Sequence, residues 1–145
     1  MISAIQTRRH FINKVNFEII KESHEDGEDE LKFNLKSRKH KNHWHVILGV
    51  KFGPKENKSI SHYKGEIIME GLFDIAKDFP KEKVEDMVNM NGGAILYGAI
   101  REQVITLSAR SSFGPLELPT LDARVFLKLR ETDKKASVEN NSKAD

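Results

Sequence analysis

Apolar residues recur at every second position in four separate runs before Pro80 and at every third or fourth position after it. No other feature of the chain constrains its fold as tightly, because strands and helices are the two structures that use these periods. Phe11, Val15, Phe17 and Ile19 fall on one side of an extended segment, with Lys14, Asn16 and Glu18 on the other. Leu31, Phe33 and Leu35 repeat the pattern against Lys32, Asn34 and Lys36. Trp44, Val46, Leu48, Val50 and Phe52 share a third face, which stops at the turn signal Gly53-Pro54. From His62 to Ile75, Tyr63, Ile67, Met69 and Phe73 alternate with Lys64, Glu66, Glu70 and Asp74. Four consecutive strands joined by short polar links predict an antiparallel sheet with one packed face and one partly wet face.

Beyond the sheet, Pro80 suits a first helical turn, Val84, Met87 and Val88 share a face, and Asn91-Gly92-Gly93 reads as a stop. A longer helix is expected from Ala94 to about Arg110, with Leu96, Ile100, Val104 and Leu107 on one face. Gly114-Pro115 and Leu118-Pro119 force an extended crossing segment whose apolar contacts are Leu116 and Leu118. Thr120 suits the cap of a last helix, with Leu121, Val125 and Leu129 four residues apart. After Glu131 no hydrophobic face remains, so the expectation is one domain over residues 1–131 and a flexible polar tail over 132–145. Strands first and helices afterwards place the chain in the α+β class, a four-stranded antiparallel sheet covered by helices. Two amphipathic helices and a leucine-bearing crossover are more apolar surface than one small sheet covers, so part of it is expected to face another subunit or a client.

At 145 residues the chain is long enough for a real core, and 38% hydrophobic with 32% charged residues describes a folded chain with a polar surface. The absence of cysteine excludes disulfides, thiol catalysis and thiolate metal sites. Neither a signal peptide nor a membrane-spanning apolar run is present, which points to the cytosol and to no membrane insertion. A net charge of +2 makes no demand for nucleic acid. An acidic block, Glu25 to Glu30, precedes a basic one, Lys36 to Lys41, but Trp44 alone supplies a nearby aromatic for base stacking. No nucleic-acid partner is expected.

Three chemical readings compete with a packing role. Arg101 and Glu102 are adjacent, so they point about 100 degrees apart on a helix and form no dyad with each other. His40, His43 and His45 would need His62 or Glu66 to complete a zinc site, and a histidine-rich strand entry is otherwise polar surface; no metal is expected. Glu18, Glu66 and Glu70 with nearby histidines make the acid-base enzyme alternative, yet no phosphate loop, nucleophile elbow or metal signature accompanies them. The chain is therefore read as no enzyme and as needing no cofactor. Phe113, Leu116, Leu118 and Leu121 fit either core plugs or a binding groove, and Trp44, Leu48 and Phe52 depend on which sheet face the helices cover.

Three stretches taken together resemble SecB, the protein-export chaperone family. They are Gly71-Leu72-Phe73 at the end of the fourth strand, Ile95-Leu96-Tyr97 leading to Arg101-Glu102, and Phe113-Gly114-Pro115-Leu116-Glu117-Leu118-Pro119 in the crossover. Order and spacing agree as well as residue type, and the weaker "FINKVNFE" extends the likeness from about Phe11 to Glu131. The resemblance implies ATP-independent binding of unfolded polypeptides in apolar grooves, here Trp44, Leu48, Phe52, Phe113, Leu116, Leu118 and Leu121. It also implies a homo-oligomer, dimer or tetramer, joined through sheet edges and long helices, which assigns Leu96, Tyr97, Ile100, Arg101 and Val104 to a subunit interface. A SecA motor partner would engage acidic positions on the sheet, matched by Glu18 and Glu66. Lys14 and Lys64 depart from the family pattern at that surface, and Gly98 stands where a proline is usual. A role in protein export is the first implication of the resemblance; "LYGAIREQV" and "LFDI" are closer to the divergent SecB-like chaperones that protect an antitoxin, which makes guarding an antitoxin or general holding the alternative.

Overall fold

The computed structural model describes residues 1–58 and 60–129. Its alternating runs form strands β1 (Ile5–Ile19), β2 (Asp29–Lys39), β3 (Trp44–Pro54) and β4 (Tyr63–Ile75). Every neighbouring pair is antiparallel, in the order β1-β4-β3-β2. The richest apolar strands take the centre: Val46, Leu48, Val50, Ile67 and Phe73 are wholly buried, whereas Ile5 alone of β1 joins the core.

β1 starts six residues before its first expected apolar position, and it carries two irregularities, between Thr7 and Arg9 and between Ile12 and Lys14. At the second, two residues of β1 advance against one of β4, so the sides exchange. Phe11 therefore stands opposite Glu70 on the outer face, while Val15, Phe17 and Ile19 face the helices opposite Ile67, Gly65 and Tyr63. The expectation that all four share one side is corrected by that single extra residue.

The helical half is continuous where a stop was expected. A 3₁₀ turn (Lys81–Lys83) leads into α1 (Val84–Met87), a π-turn (Val88–Gly92) and α2 (Gly93–Ser108). Gly92 and Gly93 have φ of −61° and −58°, ordinary helical values. Gly93 serves close packing instead: a Cβ there would stand 2.7 Å from the Phe126 ring. Gly71 does the same on the sheet, where a Cβ would meet the Phe73 ring at 2.6 Å and Leu96 at 3.1 Å. The inner side of α2 thus reaches the sheet through Leu96, Ile100 and Val104, all wholly buried. Within the π-turn, Asn89 is wholly buried and its amide finds no partner among the described residues, an arrangement that costs about 1–3 kcal/mol.

After α2 the chain crosses without regular structure and becomes helical again only over 125–129. The start is set by Asp122, whose carboxylate accepts the Arg124 backbone N–H at 3.0 Å, and not by Thr120. Leu121, Val125 and Leu129 are half-buried there, and the residue that enters the core is Phe126, edge-on to Phe33. The expected tail over 132–145 and the domain limit at 131 lie outside the described residues. Among those described, no helix is long and apolar enough to cross a membrane.

Candidate functional site

The crossover from Ser111 to Pro119 is tied down as a strap along its length. Phe113 stacks on the His62 ring, 3.8 Å between centroids and 8° from parallel. The Tyr63 hydroxyl donates to the Gly114 carbonyl. Ser108 Oγ accepts the Leu116 N–H at 2.7 Å and donates to the Val104 carbonyl at 2.7 Å. Arg101 Nε donates to the Leu118 carbonyl at 3.0 Å, and Tyr97 Oη to the Pro119 carbonyl at 2.5 Å. Burial raises the Tyr97 hydroxyl above its ordinary pKa, which keeps it a donor at neutral pH. A proline-rich segment has few backbone donors of its own, so side chains from α2 and β4 supply the order.

Between the strap and the ends of β2 and β3 lies a cavity of about 180 Å³. Its apolar walls are Leu31, Phe52, Leu116 and Leu118, and Asp29, Glu30 and Glu117 stand at its rim. Phe17, stacked on Tyr63 at 5.4 Å and 6.4 Å from Phe52, closes the core behind it. Phe52, Leu116 and Leu118 of the expected groove residues meet here. Trp44 sits at the far end of β3, half-buried, and Leu48 between them is wholly buried, so neither shares this cavity. Phe113 is exposed on His62, and Leu121 is half-buried beyond the strap. The helices cover the Trp44, Leu48 and Phe52 side of β3, the reason Leu48 offers a ligand no surface.

The expected interface residues also change role. Leu96, Ile100 and Val104 are wholly buried and Tyr97 nearly so, which leaves nothing of them for a second subunit. Helical period reports that a face is covered but not by what, and here the chain's own sheet covers it. Arg101 binds the strap, and Glu117 of the same chain lies 3.8 Å from its guanidinium.

On the helix-free side of the sheet, Glu66 lies 2.6 Å from Lys14 and 3.6 Å from Lys51, and Glu18 lies 3.1 Å from Lys64. The hydrogen bond from the Lys14 ammonium holds the Glu66 carboxyl below the usual carboxylate range. Glu70 is bonded by His45 at 2.8 Å, so the three glutamates proposed for acid-base work are separately engaged and do not converge. His40 and His43 stack at 4.8 Å and 8°, an orientation in which two rings do not aim at one ion. His62 is at the opposite end of the sheet, bonded to the Ile20 carbonyl at 2.9 Å. No trio of histidine, cysteine, aspartate or glutamate among the described residues has the geometry to hold a metal.

Leu31 and Tyr63 are read from the sequence as strand-face residues and Tyr97 as an interface residue; their part in the groove and strap, like that of Ser108, escapes sequence reasoning. Ser108 leaves a trace, since a hydroxyl four residues after Val104 on a buried face needs a partner.

Compared with known proteins, residues 3–133 match the family model SecB, preprotein translocase subunit SecB. No curated relative matches significantly. Among solved structures, the fold is similar to the Mycobacterium tuberculosis Rv1957 SecB-like chaperone, solved in complex with a ChAD peptide from the Rv1956 HigA1 antitoxin. That likeness has a TM-score of 0.64 and 18% identity over 81% of this chain and 91% of that one. A protein of unknown function from Streptococcus agalactiae is similar at a TM-score of 0.43 and 11% identity, over 80% of this chain and 97% of that one.

Proposed function

Because the chain belongs to the SecB family, which is a chaperone family and not an enzymatic one, we propose that it holds unfolded or partly folded polypeptides in the cytosol without ATP. The observation that carries this reading is the apolar cavity under the strap. Four apolar walls without a convergent polar set accept many side chains and select none sharply. Burying a leucine-sized side chain there contributes about 2 kcal/mol, and a client that adds contacts along Phe113 accumulates useful affinity. The largely exposed carboxylate of Glu117 at the rim favours clients with basic residues beside their apolar ones.

A second reading concerns the client. Docking of a SecA-like motor on Glu18 and Glu66 requires carboxylates open to a basic partner, and lysines of the same chain occupy both. We therefore rank guarding an antitoxin, or general holding, ahead of export through SecA. The fold likeness to a chaperone solved with an antitoxin peptide supports that order. Assembly into a homo-oligomer is proposed through the apolar residues left bare on the helix side of β1, Ile12, Val15 and Ile19, with Ile95 of α2.

The test is aggregation of a chemically denatured model client, followed by light scattering without ATP. Equimolar protein should suppress it, and Phe113→Ser with Leu116→Ser should weaken suppression by about tenfold in effective concentration. Leu118 is buried and is left intact, so that the variant keeps its fold. Undiminished suppression by a folded double variant removes the groove.

A further inference from the structure

The outer face of the sheet, away from the helices, has an order that pairing makes explicit. Arg38, His45, Leu72 and Arg9 form one row across the four strands. Lys36, Ile47, Glu70 and Phe11 form the next. Phe11 and Ile47 flank Glu70 in one row and Leu72 lies diagonal to both in the next; all three are half-buried, while Arg9, Lys36 and Arg38 around them are exposed. The Arg9 guanidinium lies over the Phe11 ring at 4.9 Å.

Charges on this face divide into two groups. Its carboxylates are each bonded to a cation or an imidazole: Glu18 to Lys64, Glu30 to Lys32, Glu66 to Lys14 and Lys51, Glu70 to His45, Asp74 to Arg8. Arg9, Lys36 and Arg38 have no carboxylate partner among the described residues, and they frame the apolar patch.

We propose that this face docks an extended acidic segment of a partner polypeptide, with its apolar side chains on Phe11, Ile47 and Leu72 and its carboxylates on Arg9, Lys36 and Arg38. Charge complementarity selects the occupant. A basic partner meets three bare cations and no open carboxylate. A nucleic acid gains from the cations but meets five interleaved carboxylates, and it has no use for an aliphatic patch. A peptide whose acidic and apolar residues alternate at every second position matches both, since residues two apart in an extended chain face the same side. The face is distinct from the groove under the strap, so each can fail without the other.

Fluorescence anisotropy at low salt separates the outcomes, with a labelled synthetic peptide repeating Glu-Ser-Leu-Ser as the probe, so that glutamates and leucines share one face of the extended chain. The peptide should bind, its lysine-leucine counterpart should not compete, and added salt should weaken binding. Arg9→Glu with Arg38→Glu should weaken it by about tenfold or more, and the milder Arg9→Gln with Arg38→Gln by about threefold, since each exposed charge pair contributes little alone. Phe113→Ser with Leu116→Ser should leave the affinity unchanged. Unaltered affinity in both charge variants overturns the proposal, as does loss of binding in the groove variant. Tighter binding of a short single-stranded DNA that displaces the peptide would make this a nucleic-acid surface instead. A changed sedimentation coefficient in the charge variants would assign the face to a second copy of this chain, against the proposal.

Discussion

Lys14 sets the behaviour of Glu66. The pair is 2.6 Å apart, with Lys14 half exposed and Glu66 only 17% exposed. Because the folded carboxyl titrates below its ordinary value near 4.5, the stability it contributes is present above that pH and is lost as the pH falls through the lowered one. Lys14→Met should therefore cost about 0.5–1 kcal/mol at neutral pH, and the cost should shrink toward zero under acid. Urea unfolding at about pH 7 and about pH 3 measures the difference. A penalty that is equal at both pH values would mean that Lys14 contributes through its methylenes rather than its charge.

At the scale of elements, legibility followed burial. β3 and β4 could be read from their inward positions, which stay apolar at every second residue from Trp44 to Phe52 and at Tyr63, Ile67, Met69 and Phe73, although Ile47, Ile68 and Leu72 make the outer face only partly charged. β1 could not, since the extra residue between Ile12 and Lys14 changes the side of Phe11 without changing composition. Gly92-Gly93 misled for a different reason: glycine marks both a helix end and a close approach, and only the Phe126 ring 2.7 Å from the place of a Cβ decides between them. The groove was half legible. The proline-leucine pattern located Leu116 and Leu118 and the family resemblance added Phe52, but Leu31 in the opposing wall comes from a strand distant in sequence with no signal to single it out. The strap itself depends on α2, so Arg101→Ala should loosen it and little else. Hydrogen exchange across residues 111–119 should accelerate several-fold while that of β3 stays as it is, which fits the loss of one charge-assisted hydrogen bond. Equal acceleration in both would make Arg101 a general support of the core.

For the whole molecule, the unfinished surface is on the helix side at the β1 edge. Ile12, Val15 and Ile19 are 43%, 40% and 47% exposed, and a long edge strand with bare isoleucines invites pairing. Ile12→Lys with Val15→Lys should shift sedimentation toward the single chain and leave the circular dichroism of the sheet intact. Persistence of the larger species would move the interface elsewhere. The strap has a consequence for such an assembly. Its carbonyls are gripped by Arg101 and Tyr97 of the same helix whose outward side bears Ile95 and Gly98. A guest that lifted the strap would pull on that helix, and a second copy docked against Ile95 would feel the displacement. Thermodynamic reciprocity then requires that, if subunit association alters the grip on a guest, the guest alter subunit association by the same factor.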